Sequence, residues 1–149
     1  MNNNLLKVNN LSVSRNDNLI FSNISFDVKK SHVINIHGIN GSGKTTLLKT
    51  IIGITEPANG TIESLGTLDF FKKVVYIGHK SGLKKDLTIT ENLSFFQNFY
   101  DEKDYSLIEN ALKKYNMVKY KDIPIKLLSH GQKKRVCLMK TLVTKSIIW

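Results

Sequence analysis

The first half of the chain alternates apolar and polar positions in short segments separated by turn residues. Five of these segments predict strands, at residues 5–13, 20–28, 33–37, 61–63 and 74–77. The first two would pair as a hairpin across the turn at 16–18. A glycine-rich loop follows the third, and the pattern after the loop predicts a helix over 44–52 with Gly53 as its C-terminal cap.

The second half has helical periodicity. A capping-box pattern at 88–91 opens one predicted helix, and the apolar spacing at 107–115 indicates a second, amphipathic one. The same capping pattern recurs at 129–132 and predicts a third helix that continues to about residue 144. Residues 146–149 would begin a last strand. Strands followed by strand–helix units predict an α/β fold with a mixed sheet.

Composition sets broad limits on the class of protein. With 149 residues, of which 41% are hydrophobic and 23% charged, the chain is long enough for one globular domain with a core. No apolar run approaches the roughly 18–20 residues of a membrane span. The single cysteine, Cys137, excludes a disulfide within the chain and a cysteine-based metal site. Its apolar helical surroundings predict a small core residue.

The net charge of +10 raises the question of an anionic partner. The excess is nearly all lysine, since Arg15 and Arg135 are the only arginines among 22 basic residues. Proteins that recognise bases and phosphates favour arginine, because its guanidinium can donate two hydrogen bonds to one partner. The lysines here are instead scattered along the chain in pairs. We therefore expect a solvated basic surface, near an anionic bilayer, and no nucleic-acid partner. Steeply salt-dependent binding of DNA or RNA would mark the alternative.

One loop carries a complete phosphate-binding pattern. Residues 38–45 fit G-x-x-x-x-G-K-[ST] in full, between a predicted strand and a predicted helix. Glycines let the loop turn its N–H groups toward phosphate oxygens, and the helix adds its positive N-terminal dipole. Lys44 would neutralise the β- and γ-phosphates of ATP, and Thr45 would bind Mg²⁺. The expected nucleotide-binding set is Gly38, Ile39, Asn40, Gly41, Ser42, Gly43, Lys44, Thr45 and Thr46.

A second segment makes the class more specific. The run Leu128-Ser129-His130-Gly131-Gln132, followed by basic residues, resembles the LSGGQ signature of ABC ATPases, with His130 in place of the first glycine. The resemblance implies a head-to-tail ATPase dimer, in which Ser129, Gly131 and Gln132 complete the nucleotide site of the other subunit. The same residues also fit an ordinary capping box that opens a helix.

A third segment resembles one subgroup of that family. Residues 76–83 resemble the Q-loop region, and His79 stands where most of the family has a glutamine that contacts Mg²⁺ and the water. This histidine and the following Leu-Thr-x-x-Glu-Asn-Leu are similar to the ATP-binding subunit of the heme exporter of cytochrome c maturation. His79 would then be a catalytic candidate beside Lys44, although a loop histidine without a role is the alternative. Arg15 aligns with the aromatic residue that stacks on adenine.

The resemblance implies a P-loop NTPase of the ABC ATPase type. It implies an N-terminal antiparallel β part with the phosphate loop (1–86), a helical signature region (about 87–135) and a return to a RecA-like core (136–149). ATP and Mg²⁺ would be the cofactors, and integral-membrane permease subunits the partners, at the cytoplasmic face of the inner membrane. A different cargo of the same family is an alternative.

The family continues beyond the equivalent of Trp149 into the Walker B aspartate, a catalytic glutamate and a switch histidine. We therefore expect this chain to bind ATP weakly or not at all and not to turn it over. A fragment of a longer protein and an inactive remnant are both compatible with that expectation. The strand at 33–37 would lack its neighbours, and Trp149 would be partly exposed.

Overall fold

The structure is a computed structural model that describes residues 4–64 and 70–149, apart from the side chain of Phe71. It divides into two compact units, Met1–Phe71 and Lys72–Trp149. The first is a small antiparallel sheet with one helix, and the second is built mainly from helices.

The sheet of the first unit has three antiparallel strands. They are β1 (Asn4–Arg15), β2 (Asn18–Lys29) and β3 (Asn59–Ser64), in the order β2-β1-β3. The central strand β1 supplies most of the buried side chains of the unit, namely Leu6, Val8, Leu11 and Val13. The predicted hairpin is therefore confirmed, with longer strands than expected.

The hairpin turn explains the extra length. Asn16 and Asp17 both have positive φ, at 49° and 60°, and Arg15 pairs directly with Asn18. Asparagine and aspartate tolerate this left-handed backbone, and such a two-residue turn matches the twist of paired strands. The strands therefore continue up to the turn on both sides.

The predicted helix after the glycine-rich loop is α1 (Lys44–Ile51), and it ends as the sequence predicts. Gly53 has φ 74° and donates its N–H to the carbonyl of Thr50 at 3.0 Å. Ile54 donates to the carbonyl of Lys49 at 2.8 Å. These two bonds form a Schellman motif, in which glycine takes the left-handed position because it has no Cβ.

The prediction of a buried strand at 33–37 is wrong. Val33 is 95% exposed, Ile36 is only partly buried, and the segment belongs to no strand. A β-branched run has the propensity for a strand, but a strand also needs a neighbour that accepts its backbone hydrogen bonds. None of the segments that the structure describes pairs with it.

The second unit contains α2 (Ile89–Phe99), α3 (Tyr105–Lys114) and α4 (His130–Met139). Turns of 3-10 helix lie at Phe70–Lys73, Val118–Tyr120 and Ile125–Leu127. One core cluster joins the helices and their connections, formed by Ile89, Leu93, Ile108, Ala111, Leu112, Met117, Ile125, Leu128, Val136, Met139 and Val143. Among the described residues, no helix has both the length and the apolar character needed to cross a bilayer.

Side chains cap all three helices of this unit at their N-termini. The capping box predicted for α2 is confirmed, with the Glu91 carboxylate accepting from the Thr88 N–H at 2.8 Å. This hydrogen bond holds the pKa of Glu91 below its ordinary value. The cap of α3 was not predicted. The Asp104 carboxylate accepts from Ser106, mainly from its hydroxyl, which lowers the pKa of Asp104.

Three elements of this unit fall short of their predicted extent. Residues 74–77 and 146–149 do not form extended strands; they share one parallel bridge between Val74 and Ile148. Helix α4 ends at Met139, before residue 144. There most of the bonding tightens to i→i+3, as from Leu142 N–H to the Met139 carbonyl at 2.9 Å, and Val143 is buried in the core of the unit. Trp149 is 74% exposed, as expected.

Candidate nucleotide-binding site

The glycine-rich loop lies at the surface of the first unit. Gly41 and Gly43 have φ of 86° and 89°, the left-handed region that glycine enters without strain. A Cβ on Gly43 would lie 2.7 Å from Cγ2 of Ile20 and 3.1 Å from Cδ1 of Phe21. The last glycine of the loop is therefore needed because the loop packs directly against β2.

Helix α1 begins at this loop without a side-chain cap. Gly43 is its N-cap residue, and the first turn contains no acidic side chain. The first N–H groups of a helix have no partner within the helix, and its dipole places partial positive charge at the same end. The start of α1 thus suits an anion presented to the loop.

Lys44 holds its charge over this loop. Its ammonium donates to the carbonyl oxygens of Gly38 at 2.9 Å and Ile39 at 2.7 Å. The side chain thus folds back along the loop, so its charge lies next to the start of α1. Thr45 is exposed on the first turn, and Thr46 is half-buried. The Lys44 charge and the free N–H groups at the start of α1 thus lie beside the same loop.

Two other predicted residues lie outside the loop. Arg15 is exposed at the end of β1, beside the hairpin turn. His79 is exposed in the second unit, one residue after Gly78. A Cβ on Gly78 would lie 2.9 Å from the ring of Tyr76, which folds back over the backbone there.

The signature-like segment forms the start of α4. Ser129 is the N-cap: its hydroxyl accepts from the Gln132 N–H at 3.2 Å, and its own N–H donates to Gln132 Oε1 at 2.7 Å. Leu128 anchors the segment in the core, whereas His130 and Gly131 are exposed. A Cβ on Gly131 would meet nothing within 4 Å, so packing within the described chain does not require glycine there.

The predicted residues fall into two groups. The loop glycines, Lys44, Thr45 and Thr46 form one contiguous surface in the first unit. His79 and the Ser129–Gln132 box belong to the second unit.

Sequence analysis missed the buried polar residues of the second unit, of which Asn92 and Lys140 hold the segment after His79. Asn92 exchanges hydrogen bonds with the backbone of Lys84, at 2.8 and 3.0 Å. The Lys140 ammonium donates to the carbonyl of Ser81 at 2.7 Å. The one available signal was the position of each residue on the apolar face of its helix, three or four positions from core residues.

Comparison with known proteins gives the same assignment as the motifs. The family model described as ABC transporter matches residues 21–149. The chain is 33% identical to the cytochrome c biogenesis ATP-binding export protein CcmA of Vibrio vulnificus strain YJ016, across 97% of this chain and 74% of that protein.

Solved structures share the fold. The ATP-binding subunit of an ABC transporter superposes with a TM-score of 0.83 at 24% identity, with 91% of this chain and 60% of that chain covered. The cbiO1 protein of Clostridium perfringens, part of the ABC transporter complex cbiONQ, superposes with a TM-score of 0.78 at 26% identity, with 97% and 63% covered. The chain thus spans less than two thirds of each solved chain. It belongs to the ABC transporter family and has, over its length, the fold of an ABC ATPase domain.

Proposed function

We propose that this chain acts as the ATP-binding subunit of an ABC transporter that serves heme export and cytochrome c biogenesis. The observation that carries the proposal is the phosphate loop, where Lys44 is held over an uncapped helix start. The assignment of cargo draws on the similarity to proteins named as cytochrome c biogenesis ATP-binding export proteins.

At the loop, the N–H groups at the start of α1 donate to phosphate oxygens of ATP. Lys44 then exchanges its carbonyl partners for phosphate oxygens and offsets their charge. The exposed Thr45 hydroxyl is the candidate ligand for Mg²⁺, which fits because hydroxyl and phosphate oxygens are the hard ligands this ion prefers. When bound, Mg²⁺ neutralises charge on the β- and γ-phosphates. Arg15 stacks its guanidinium on the adenine face.

The second unit carries the remaining candidate groups. His79 takes the Q-loop role on its exposed loop. Ser129, Gly131 and Gln132 form a helix N-terminus that faces the nucleotide of a second copy of the chain. The open surface over Gly131 supports this role. Glycine costs about 0.5–1 kcal/mol relative to alanine in a helix interior and less in the first turn, and its presence in α4 without a packing reason favours the close approach of another molecule.

Gly131→Ala is therefore expected to stabilise the chain while weakening its association. The free energy of unfolding should rise by at most about 0.5–1 kcal/mol in urea titrations, because the new methyl group meets no neighbour. Sedimentation at millimolar Mg-ATP should show less dimer than the wild type, whereas His130→Ala at the adjacent exposed position should dimerise normally. Unchanged dimer formation by Gly131→Ala would contradict the role across subunits.

The partner expected in the membrane is a permease with its own spanning helices, and the chain would lie on the inner-membrane surface as a peripheral subunit. The relative cbiO1 is part of a transporter complex, which supports this arrangement. The scattered lysines give the chain a net charge of +10, which favours a position close to an anionic bilayer.

The cargo is tested in the native cell. Deletion of the gene should abolish c-type cytochromes, detected by heme staining of denaturing gels, while cytochromes that bind heme non-covalently remain in the membrane spectrum. Re-expression of the wild-type gene should restore the stained bands. Normal c-type cytochromes in the deletion strain would instead indicate an ABC ATPase for a different cargo.

A further inference from the structure

A charged side chain lies inside the second unit. Lys140 is only 7% exposed, and its ammonium lies 2.7 Å from the Ser81 carbonyl and 4.9 Å from the centroid of the Phe96 ring. Among the residues that the structure describes, no carboxylate lies within 4.0 Å of this ammonium. It is a buried cation whose partners are a backbone carbonyl and an aromatic face.

The position of Lys140 follows from α4. It is the C-cap residue of that helix, one turn after Cys137, and both side chains reach the same carbonyl, with Cys137 Sγ 3.7 Å from the Ser81 oxygen. Burial lowers the pKa of Lys140 and raises the pKa of Cys137. A buried ammonium is costly unless its hydrogen bonds are made, so this one is stable only while the Ser81 carbonyl stays in place.

The loop that supplies this carbonyl is tightly folded. The Ser81 hydroxyl accepts from the Leu83 N–H at 3.3 Å, and Gly82 turns the backbone with φ 61°. A Cβ on Gly82 would lie 3.5 Å from the Lys140 ammonium, so the cation is packed against the turn itself. His79 lies two residues before Ser81.

A second buried side chain holds the continuation of this segment. Asn92 of α2 bonds to the backbone of Lys84 and donates to the carbonyls of Leu87 at 3.2 Å and Thr88 at 2.8 Å. Two buried side chains thus attach the segment from 79 to 88, Lys140 to the end of α4 and Asn92 to α2, and backbone bonds from Ile125 and Lys126 also hold its second half. Of the two attachments, Lys140 is the one nearer to His79.

We propose that Lys140 is a positioning residue that fixes the loop carrying His79 to the end of the helix that begins at the signature segment. A displacement of either element would then move the other, because the buried ammonium cannot leave its carbonyl without losing its main partner. That this link holds His79 in position for a nucleotide rests on the proposed function. The contact between the Lys140 ammonium and the Ser81 carbonyl does not depend on that function.

Amide hydrogen exchange of the Lys140→Met chain tests the link, since methionine keeps an unbranched stem and removes the ammonium. Exchange of the Leu83 amide, which donates to the Ser81 hydroxyl, should become at least about tenfold faster, the cost of one charge-assisted hydrogen bond, while the amides of α3 keep their protection. Lys140→Arg should restore the wild-type rate. Asn92→Leu, the matched control, should speed the exchange of the Lys84 amide, which donates to Asn92 Oδ1, and leave that of Leu83 unchanged.

Unchanged exchange of the Leu83 amide in Lys140→Met would overturn the proposal. A uniform rise in exchange across the whole second unit, or a failure of Lys140→Arg to restore the wild-type rate, would overturn it too. If Lys140→Met does not fold, the wild type gives the answer. Its ¹⁵N spectrum should contain one lysine ammonium protected from exchange with water, and the absence of such a signal would also overturn the link.

Nucleotide binding separates the attachment of the loop by Lys140 from the role of His79 toward a nucleotide. On addition of Mg-ATP, Lys140→Met should lose the chemical-shift response of His79 and retain that of the amides at 44–46. If wild-type His79 does not respond although exchange of the Leu83 amide behaves as expected, the proposed function fails and the link stands. A full His79 response in Lys140→Met would refute the positioning role.

Discussion

Replacing Lys44 by methionine is expected to lower the affinity of the chain for Mg-ATP by at least about tenfold. The ammonium is held over the loop by the Gly38 and Ile39 carbonyls, where it would form charge-assisted hydrogen bonds to phosphate oxygens. Methionine has a similar length but no charge and no donor. Because the wild-type affinity is expected to be weak, amide chemical shifts of residues 38–46 followed at millimolar Mg-ATP are the suitable measurement.

The control for this substitution is Lys49→Met in the last turn of the same helix, which removes an exposed lysine away from the loop. It should bind Mg-ATP as the wild type does. Both variants should unfold within about 1 kcal/mol of the wild type, because the lost contacts are at the surface. Equal affinity of Lys44→Met and the wild type would contradict the assignment of the loop.

Gly60→Ala is expected to destabilise the chain by about 2–5 kcal/mol. Gly60 has φ 91°, and a Cβ there would lie 2.5 Å from the carbonyl oxygens of both Asn9 and Asn10. These atoms are backbone, so no side-chain rotation can relieve the clash. The pairing of β1 with β3 is irregular between Asn9 and Ser12. On the side of β2, this part of β1 is also held in place, because the Asn10 N–H donates to Ser25 Oγ at 2.8 Å. Urea unfolding gives the free energy directly.

Gly41→Ala is the matched control, since Gly41 has a similar φ of 86°, but a Cβ there would meet nothing within 4 Å. It should cost only the strain of a left-handed alanine, about 1–2 kcal/mol. The difference between the two variants isolates the clash with β1 from the backbone strain. Equal losses of stability would show that β1 can move away from β3 at little cost.

Features confined to a few neighbouring residues were predictable from the sequence. The hairpin turn, the Gly53 cap and the capping boxes at Thr88 and Ser129 all occur where expected. Each depends on hydrogen bonds between residues at most five positions apart, so local chemistry is sufficient to determine it. For the same reason, the phosphate loop could be recognised from the spacing of its glycines and Lys44 alone.

Features that depend on distant parts of the chain were not predictable in the same way. The run at 33–37 has the composition of a strand, yet no described segment pairs with it. Helix α4 ends at Met139 although its apolar spacing continues, because the next residues turn with 3-10 bonding to bury Val143. In both cases the sequence pattern indicated a preference for strand or helix, and whether the segment adopted it depended on the neighbouring parts of the folded chain.

The sequence by itself determined the family, the phosphate loop and the capped starts of α2 and α4, because these depend on residue types at short, fixed spacings. Only the tertiary structure decided that Lys140 and Asn92 are buried against the loop after His79, and that the surface over Gly131 is open. Burial and open space are properties of the whole packed unit. The sequence does not show whether a lysine is exposed to solvent or bonded to a carbonyl far along the chain, or whether a glycine is packed or open.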